Sequence, residues 1–162
     1  MTISIEEHEK FMRVAIELSK KAGDGGNFPF AAILVKDGEV LLETLNGVDT
    51  EHDCTQHAEV RLASLATRTY DGEMLKQCVF YTSAEPCPMC AGAIYWTGIP
   101  TMVYGNSDET LMKYHGKSFS IPCRDILTVE SGVEVIGPLL EDEAEAVHKK
   151  FVEKRTYDER WG

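Results

Sequence analysis

The sequence predicts an α/β protein, a three-layer α/β/α sandwich in which helices cover both faces of a sheet. Segments with helical spacing of apolar residues alternate along the chain with short β-rich runs. An Asp37-Gly38 pair separates two of these runs, which is a strong signal for a β-hairpin. The 162 residues contain no repeat and no linker, so we expect a single domain over residues 1–162.

The first third of the chain is typical of a helix followed by a hairpin. Ser4 and Glu7 have the spacing of a capping box, which marks a helix start. Apolar residues then recur at helical spacing until the glycine-rich stretch 23–27 ends the helix. The segments that follow are predicted as a strand, a second strand and a surface loop, over residues 31–35, 40–45 and 46–56.

The remainder of the chain alternates between helices and strands. Pro88 suits the first turn of a helix, where its missing N–H would be unpaired in any case. Residues 106–121 have no clear period and are predicted to be irregular, with room for one helical turn. The other predicted elements are helices over 57–69, 88–98 and 142–157, and strands over 78–82, 101–104 and 133–136.

Acidic residues outnumber basic ones, with 27 Asp and Glu against 16 Lys and Arg and a formal net charge of −11. A polyanion such as tRNA or DNA is repelled on average by such a surface. The charge balance therefore argues against a nucleic-acid partner and favours a small neutral substrate.

No apolar run approaches the roughly 20 residues that a membrane span requires, and we expect no membrane partner. Residues 5–10 lack the basic region and apolar core of a signal peptide, so the expected location is cytoplasmic. The cysteines number five, and two of them form Cys87-Pro88-Met89-Cys90. An odd number that includes a C-x-x-C pair indicates metal or redox chemistry rather than a disulfide framework.

Two short stretches carry the chemistry, His57-Ala58-Glu59 and Pro86-Cys87-Pro88-Met89-Cys90. A catalytic zinc site takes three protein ligands and keeps a fourth position open, and His57, Cys87 and Cys90 supply that number. Each stretch opens a predicted helix, where the helix dipole favours thiolates. H-x-E followed by P-C-x-x-C is the signature of zinc-dependent nucleobase deaminases.

Glu59 stands two residues after His57, an offset that places its carboxylate beside the metal rather than on it. There it is suited to take a proton from water and to pass it to a leaving amine. Two plainer alternatives remain for the cysteines. One is a redox pair, and the other is a structural zinc site, for which His52 or His115 would have to be the fourth ligand.

Through His57-Ala58-Glu59-Val60 and Glu85-Pro86-Cys87-Pro88-Met89-Cys90 the sequence resembles the cytidine/deoxycytidylate deaminase superfamily. Over residues 81–96 it is most similar to the bacterial guanine deaminase branch. The resemblance implies a cytidine deaminase-like fold with a mixed five-stranded sheet, a Zn²⁺ cofactor, and hydrolysis of guanine to xanthine and ammonia. It also implies a homodimer with the active site near the interface and a C-terminal segment, 151–157, that is often swapped between subunits.

The same resemblance implies roles in binding the base. Asn46 would hydrogen-bond the base, Phe30 would stack beside it, and the backbone N–H of Ala58 would bind its carbonyl. Trp96 would lie near the pocket floor, and Tyr157 would be a lid contact. The simpler interpretations are that the asparagine ends a strand, that the phenylalanine and the tryptophan are core residues, and that the tyrosine is a surface residue.

One departure from the guanine deaminase pattern concerns the segment after the fourth predicted strand. That branch carries an acidic residue there, which reads the amino and ring N–H groups of guanine, whereas this chain has Lys117 or a neighbour at the position, with Asp108 and Glu109 nearby. Residues 97–100 and 158–161 also resemble fungal-type cytosine deaminases. Three alternatives therefore stay open: a cytosine-type pyrimidine deaminase, a tRNA adenosine deaminase, and a metal-stabilised scaffold without activity.

Overall fold

The computed structural model describes residues 2–117 and 119–155, and within these ranges five strands form one sheet. The strands are β1 (Ala31–Lys36), β2 (Glu39–Leu45), β3 (Val79–Ala84), β4 (Thr101–Asn106) and β5 (Glu134–Ile136). The helices are α1 (Ile5–Asp24), α2 (Val48–Glu51), α3 (Ala58–Thr69), α4 (Gly72–Leu75), α5 (Pro88–Thr97), α6 (Asp108–His115), α7 (Cys123–Ile126) and α8 (Glu141–Lys154). In the described part of the chain, no helix is both long and apolar enough to cross a membrane.

The sheet has the order β2-β1-β3-β4-β5 and is mixed, as predicted. Strand β1 runs antiparallel to both β2 and β3, whereas β3, β4 and β5 are parallel to one another. The turn between β1 and β2 places Asp37 at φ 50° and Gly38 at φ 78°. Two positive φ angles in succession define the hairpin turn that an Asp-Gly pair favours, so the sequence signal is confirmed.

Successive residues of β1 enter two different cores, which lie on opposite faces of the sheet. Ala32 and Leu34 belong to the core shared with α3 and α5, and Ile33 and Val35 belong to the core shared with α1 and α8. This two-residue alternation is that of a strand buried on both faces. Because helices cover both faces, the predicted three-layer α/β/α sandwich is confirmed.

The segment that follows β4 is more helical than predicted, since the sequence indicated an irregular stretch with at most one helical turn. It forms α6, whose N-cap residue Ser107 accepts a hydrogen bond from the Thr110 backbone N–H at 3.3 Å. Glu141, at the start of α8, accepts hydrogen bonds from Ser107 and Thr110 and ties the two helices together. The full length of this helix was not predicted because it is stabilised by a partner 31 to 34 residues away, which a local pattern does not reveal.

Candidate metal centre and active site

The N-termini of α3 and α5 bring together the three residues predicted as metal ligands. His57 is the N-cap residue of α3 and Cys87 is the N-cap residue of α5, each with extended backbone angles. Pro88 occupies the first turn of α5, and Cys90 lies one turn after Cys87. The unpaired N–H groups and the positive dipole ends of both helices therefore face the same point, where they favour thiolates.

The distances between the three donor atoms fit a zinc ion. Cys87 Sγ lies 3.6 Å from Cys90 Sγ, and His57 Nδ1 lies 3.7 Å and 3.4 Å from these two sulfurs. In a tetrahedral site with Zn–S bonds of about 2.3 Å and Zn–N bonds of about 2.0–2.1 Å, ligand atoms are roughly 3.5–3.8 Å apart. Among the described residues the cluster has three members, so His52 and His115 do not supply a fourth ligand. This number is typical of a catalytic zinc site with an open position.

The two thiols titrate differently because they share hydrogen bonds. The hydrogen bond from Cys90, together with the one from His57, lowers the pKa of Cys87 to about 4. The same contact with Cys87, together with burial, raises the pKa of Cys90. The hydrogen bond to Cys87 raises the pKa of His57. A divalent cation between these atoms favours the deprotonated form of both thiols.

Glu59, in the first turn of α3, is a buried carboxylate that lies beside the donor cluster without belonging to it. Its side chain is 4% exposed. The Thr82 hydroxyl donates a hydrogen bond of 2.6 Å to Oε1, and the Cys90 thiol lies 3.4 Å from Oε2. Burial raises the pKa of Glu59, and the Thr82 hydrogen bond partly opposes this effect. A carboxylate whose pKa is raised is suited to accept a proton and to release it again.

The cluster and Glu59 lie at a cavity of about 250 Å³. This volume lies below the range of about 300–1,000 Å³ that is typical of sites for drug-sized ligands. Away from the metal ligands, the cavity is lined mainly by aromatic, apolar and amide side chains from the chain before β1, from the end of β2 and from α6. They include Phe28, Phe30, Asn46, Leu111, Met112 and His115.

Three of the five residues predicted to contact the base line this cavity, namely Phe30, Asn46 and Ala58. Asn46 is 5% exposed, and its Oδ1 accepts a hydrogen bond of 2.9 Å from the Val48 backbone N–H. The expectation for Trp96 was wrong for this cavity, because the residue is 81% exposed and lies outside the lining. The inner face of α5 is formed instead by small and aliphatic residues such as Ala91 and Ile94. Tyr157 lies outside the described residues.

Two residues at the site were missed as functional residues by the sequence analysis. Thr82 binds Glu59, and His115 lines the cavity from the end of α6. A signal existed for Thr82, since it is a polar residue that follows three apolar ones in a short buried strand. From its position in the sequence, His115 was expected only as a spare metal ligand. Its place in the cavity depends on helix α6, whose full length was not predicted.

The fold and the site define a class of protein, a metal-dependent hydrolase with a buried carboxylate beside its metal site. The sequence model of the cytidine and deoxycytidylate deaminase zinc-binding region matches residues 5–106. The chain belongs to this family and is an enzyme that hydrolyses carbon–nitrogen bonds.

The relatives include a probable cytosine deaminase, a guanine deaminase and tRNA-specific adenosine deaminases. A probable cytosine deaminase from Schizosaccharomyces pombe is 41% identical over 152 residues, which cover 90% of this chain and 93% of that protein. A guanine deaminase from Bacillus subtilis is 44% identical over 106 residues, covering 64% and 66% of the two chains. Among solved structures, the guanine deaminase from Nitrosomonas europaea superposes with a TM-score of 0.79 at 26% identity, covering 90% of this chain and 84% of that one.

Proposed function

We propose that the protein is a zinc-dependent deaminase of a free amino-purine base, with guanine, converted to xanthine and ammonia, as the leading substrate. The observation that carries the proposal is the buried Glu59 carboxylate beside the three-member donor cluster, at one small cavity. A cavity of about 250 Å³ is large enough for a single base. The net charge of −11 favours such a base over tRNA.

In this reaction water replaces the exocyclic amine of the base, and the protein must move one proton between them. His57, Cys87 and Cys90 would hold a zinc ion, which would supply Lewis-acid activation of water near neutral pH. Glu59 takes the proton that the water loses when its oxygen attacks the ring carbon. The same carboxylate then gives the proton to the amine, which leaves as ammonia. Thr82 holds Glu59 in place through Oε1.

The base is positioned by groups that line the cavity. The Asn46 side chain uses Oδ1 to bind Val48, which fixes the amide and directs its N–H₂ group as a donor for the base. The backbone N–H of Ala58, in the first turn of α3, is one of the donors that a helix start leaves unpaired, and we assign it to a carbonyl of the base. The Phe30 ring supplies a stacking surface.

Guanine and cytosine are the two candidate bases. Guanine is favoured by the structural likeness to the Nitrosomonas enzyme over 90% of the chain. Cytosine is favoured by the alignment with the Schizosaccharomyces protein, which spans 93% of that relative.

Ammonia release from guanine, cytosine, adenine and their nucleosides tests the proposal on zinc-loaded protein. We expect release from free bases, fastest from guanine, and less from nucleosides. If ammonia were released from cytosine alone, cytosine and not guanine would be the substrate. If no base released ammonia, the proposed activity itself would be wrong.

We also propose that the protein is a homodimer that associates through α5. This helix leaves Trp96 81% exposed and Met89 39% exposed. The two residues are two helical turns apart and share one face. Large apolar side chains exposed together on one face are typical of protein interfaces. The swapped C-terminal segment and its residue Tyr157 stay a prediction, because residues 156–162 lie outside the described ranges.

A further inference from the structure

Few polar side chains of the cavity are available to a substrate once the metal ligands and Glu59 are set aside. Among the residues that the structure describes, the remaining ones are Asn46, Glu85, Asp108 and His115. Glu85 uses both oxygens, which accept the backbone N–H groups of Asp108 at 3.0 Å and Cys123 at 2.9 Å. The Asp108 carboxylate accepts a hydrogen bond from the Ser120 hydroxyl. Glu85 is therefore engaged in holding α6 and α7, and the Asp108 carboxylate is engaged by Ser120. Besides Asn46, which we have already assigned to the base, the cavity offers the imidazole of His115.

His115 is half of a hydrogen-bonded pair that joins α6 to α8. Its Nε2 lies 2.8 Å from Nδ1 of His148, a residue that is 1% exposed. Phenylalanine rings surround the pair, with the Phe28 centroid 5.4 Å from that of His115 and the Phe30 centroid 5.2 Å from that of His148. The imidazole of His115 is thus held next to the ring to which we assign stacking of the base.

Both histidines are neutral at neutral pH. Burial, with a further contribution from the positive charge of Arg155, lowers the pKa of His115 to about 4. Burial, followed by the neighbouring His115, lowers the pKa of His148 to about 3. A neutral pair shares one hydrogen bond, in which one imidazole donates and the other accepts.

The direction of this hydrogen bond determines what His115 offers to the cavity. If Nε2 of His115 donates to His148, Nδ1 of His115 is an acceptor. If His148 donates instead, Nδ1 of His115 carries a proton and is a donor. In the described part of the chain, Nδ1 of His115 has no hydrogen-bond partner. A carboxylate at this place would offer acceptors only.

We propose that His115 is a specificity-determining residue, whose Nδ1 hydrogen-bonds the polar edge of the bound base, and that His148 positions it and selects its tautomer. The inference rests on the proposed function and deepens it by naming the substrate class. A neutral imidazole can accept a hydrogen bond from a ring N–H or donate one to a ring carbonyl. The site therefore takes uncharged, amino-substituted heteroaromatic bases that present either group. Lys117, exposed and outside the cavity lining, has no part in this contact.

Steady-state kinetics of zinc-loaded variants test the role of His115. His115→Phe keeps an aromatic ring in the cluster and removes the hydrogen bond, so KM for the preferred base should rise about ten-fold while kcat changes much less. His115→Asp should raise the ratio of kcat/KM for guanine over cytosine about ten-fold, because a carboxylate accepts from N–H groups and repels a carbonyl.

The role of His148 is tested by the same ratio. His148→Leu should shift the preference between guanine and cytosine, and His148→Asn, whose amide can donate or accept, should restore it. The matched control is Tyr114→Phe, which removes another hydrogen bond between α6 and α8, the one of 2.7 Å from the Tyr114 hydroxyl to Glu145, outside the cavity. This control should leave KM and preference unchanged. If it changed them as much as His115→Phe, the histidines would only pack the helices, and the inference would be wrong.

Calorimetric titration of the zinc-loaded proteins with guanine and cytosine separates this inference from the proposed function. If His115→Phe bound both bases as tightly as the wild type, the proposed role of His115 would be wrong, whatever the rate of ammonia release. If the wild type bound a base more tightly than His115→Phe but released no ammonia, the proposed reaction would be wrong. The contact between His115 and the base would still be supported.

Discussion

Glu59 has a partner on each carboxylate oxygen, and both partners come from other elements. Thr82 of β3 donates to Oε1, and Cys90 of α5 lies against Oε2. The position of the Glu59 carboxylate is therefore set by the sheet on one side and by the metal site on the other. Charged groups that are buried and fixed in this way stabilise a reaction without a cost of reorganisation.

The pair His115 and His148 predicts a dependence of stability on pH. Both pKa values lie below the ordinary histidine value of about 6.5, so the unfolded chain binds protons first as the pH falls. The two neutral histidines make their full contribution to the free energy of unfolding above pH 6.5. This contribution is lost as the pH falls from about 6.5 towards 4. Arg155, the charged group that acts on His115, strengthens the effect.

We expect the pair to account for on the order of 5 kcal/mol of the stability lost between pH 7.5 and pH 4.5, about half from each histidine. Urea unfolding of metal-free protein at both values measures this loss. The double variant His115→Phe with His148→Leu should lose correspondingly less, whereas His52→Gln, at an exposed position, should behave like the wild type. If the wild type and the double variant lost equal stability between the two pH values, protonation of the two histidines would not be the cause of the loss.

Strand β4 lies between β3 and β5, and its residue Gly105 has no room for a side chain. A Cβ at Gly105 would lie 2.6 Å from the Ser83 backbone oxygen and 3.0 Å from Met12 Sδ. The close approach to a neighbouring strand leaves no room for a side chain, because the backbone of β3 is fixed by pairing on both sides.

Gly105→Ala should therefore lower the free energy of unfolding by about 1–3 kcal/mol. Gly72→Ala, at the start of α4, is the control, because a Cβ there meets nothing within 4 Å, and its effect should stay within about 0.5 kcal/mol. Urea midpoints of both variants measure the difference. Equal midpoints would mean that the two strands separate more easily than their packing indicates.

The elements that could be predicted from sequence are those whose signals are local. The capping box of α1, the Asp37-Gly38 turn and the metal ligands at two helix starts depend on residues a few positions apart. The contact between Thr82 and Glu59 spans 23 residues and depends on how β3 pairs, so a pattern search does not find it. The full length of α6 was not predicted, beyond one possible turn, for the same reason, since Glu141 of α8 stabilises the start of this helix.

At the scale of the whole molecule, the sandwich places both metal-binding helix starts, α6 and the end of β2 around one cavity. The orientation of Trp96 also depends on how the whole molecule packs. Sequence similarity placed the residue near the pocket, whereas the packing of α5 turns it outward, to a surface that a second subunit can cover.

The proposed homodimer predicts that Trp96→Glu converts the protein to a monomer. A charge placed in an apolar interface is costly to desolvate, so association should weaken strongly. Sedimentation velocity measures the change. Val129→Glu is the control, since Val129 is 95% exposed on a different element and should leave the dimer intact. A wild type that sediments as a monomer would contradict the proposal directly.

The central claim is that Glu59 transfers the proton at a zinc site that His57, Cys87 and Cys90 form without it. The most direct measurement pairs zinc content with ammonia release for the wild type and Glu59→Gln. The variant should retain one zinc per chain and lose about 10²–10⁴-fold in turnover of the preferred base. A Glu59→Gln protein with full zinc and the wild-type rate would contradict this account.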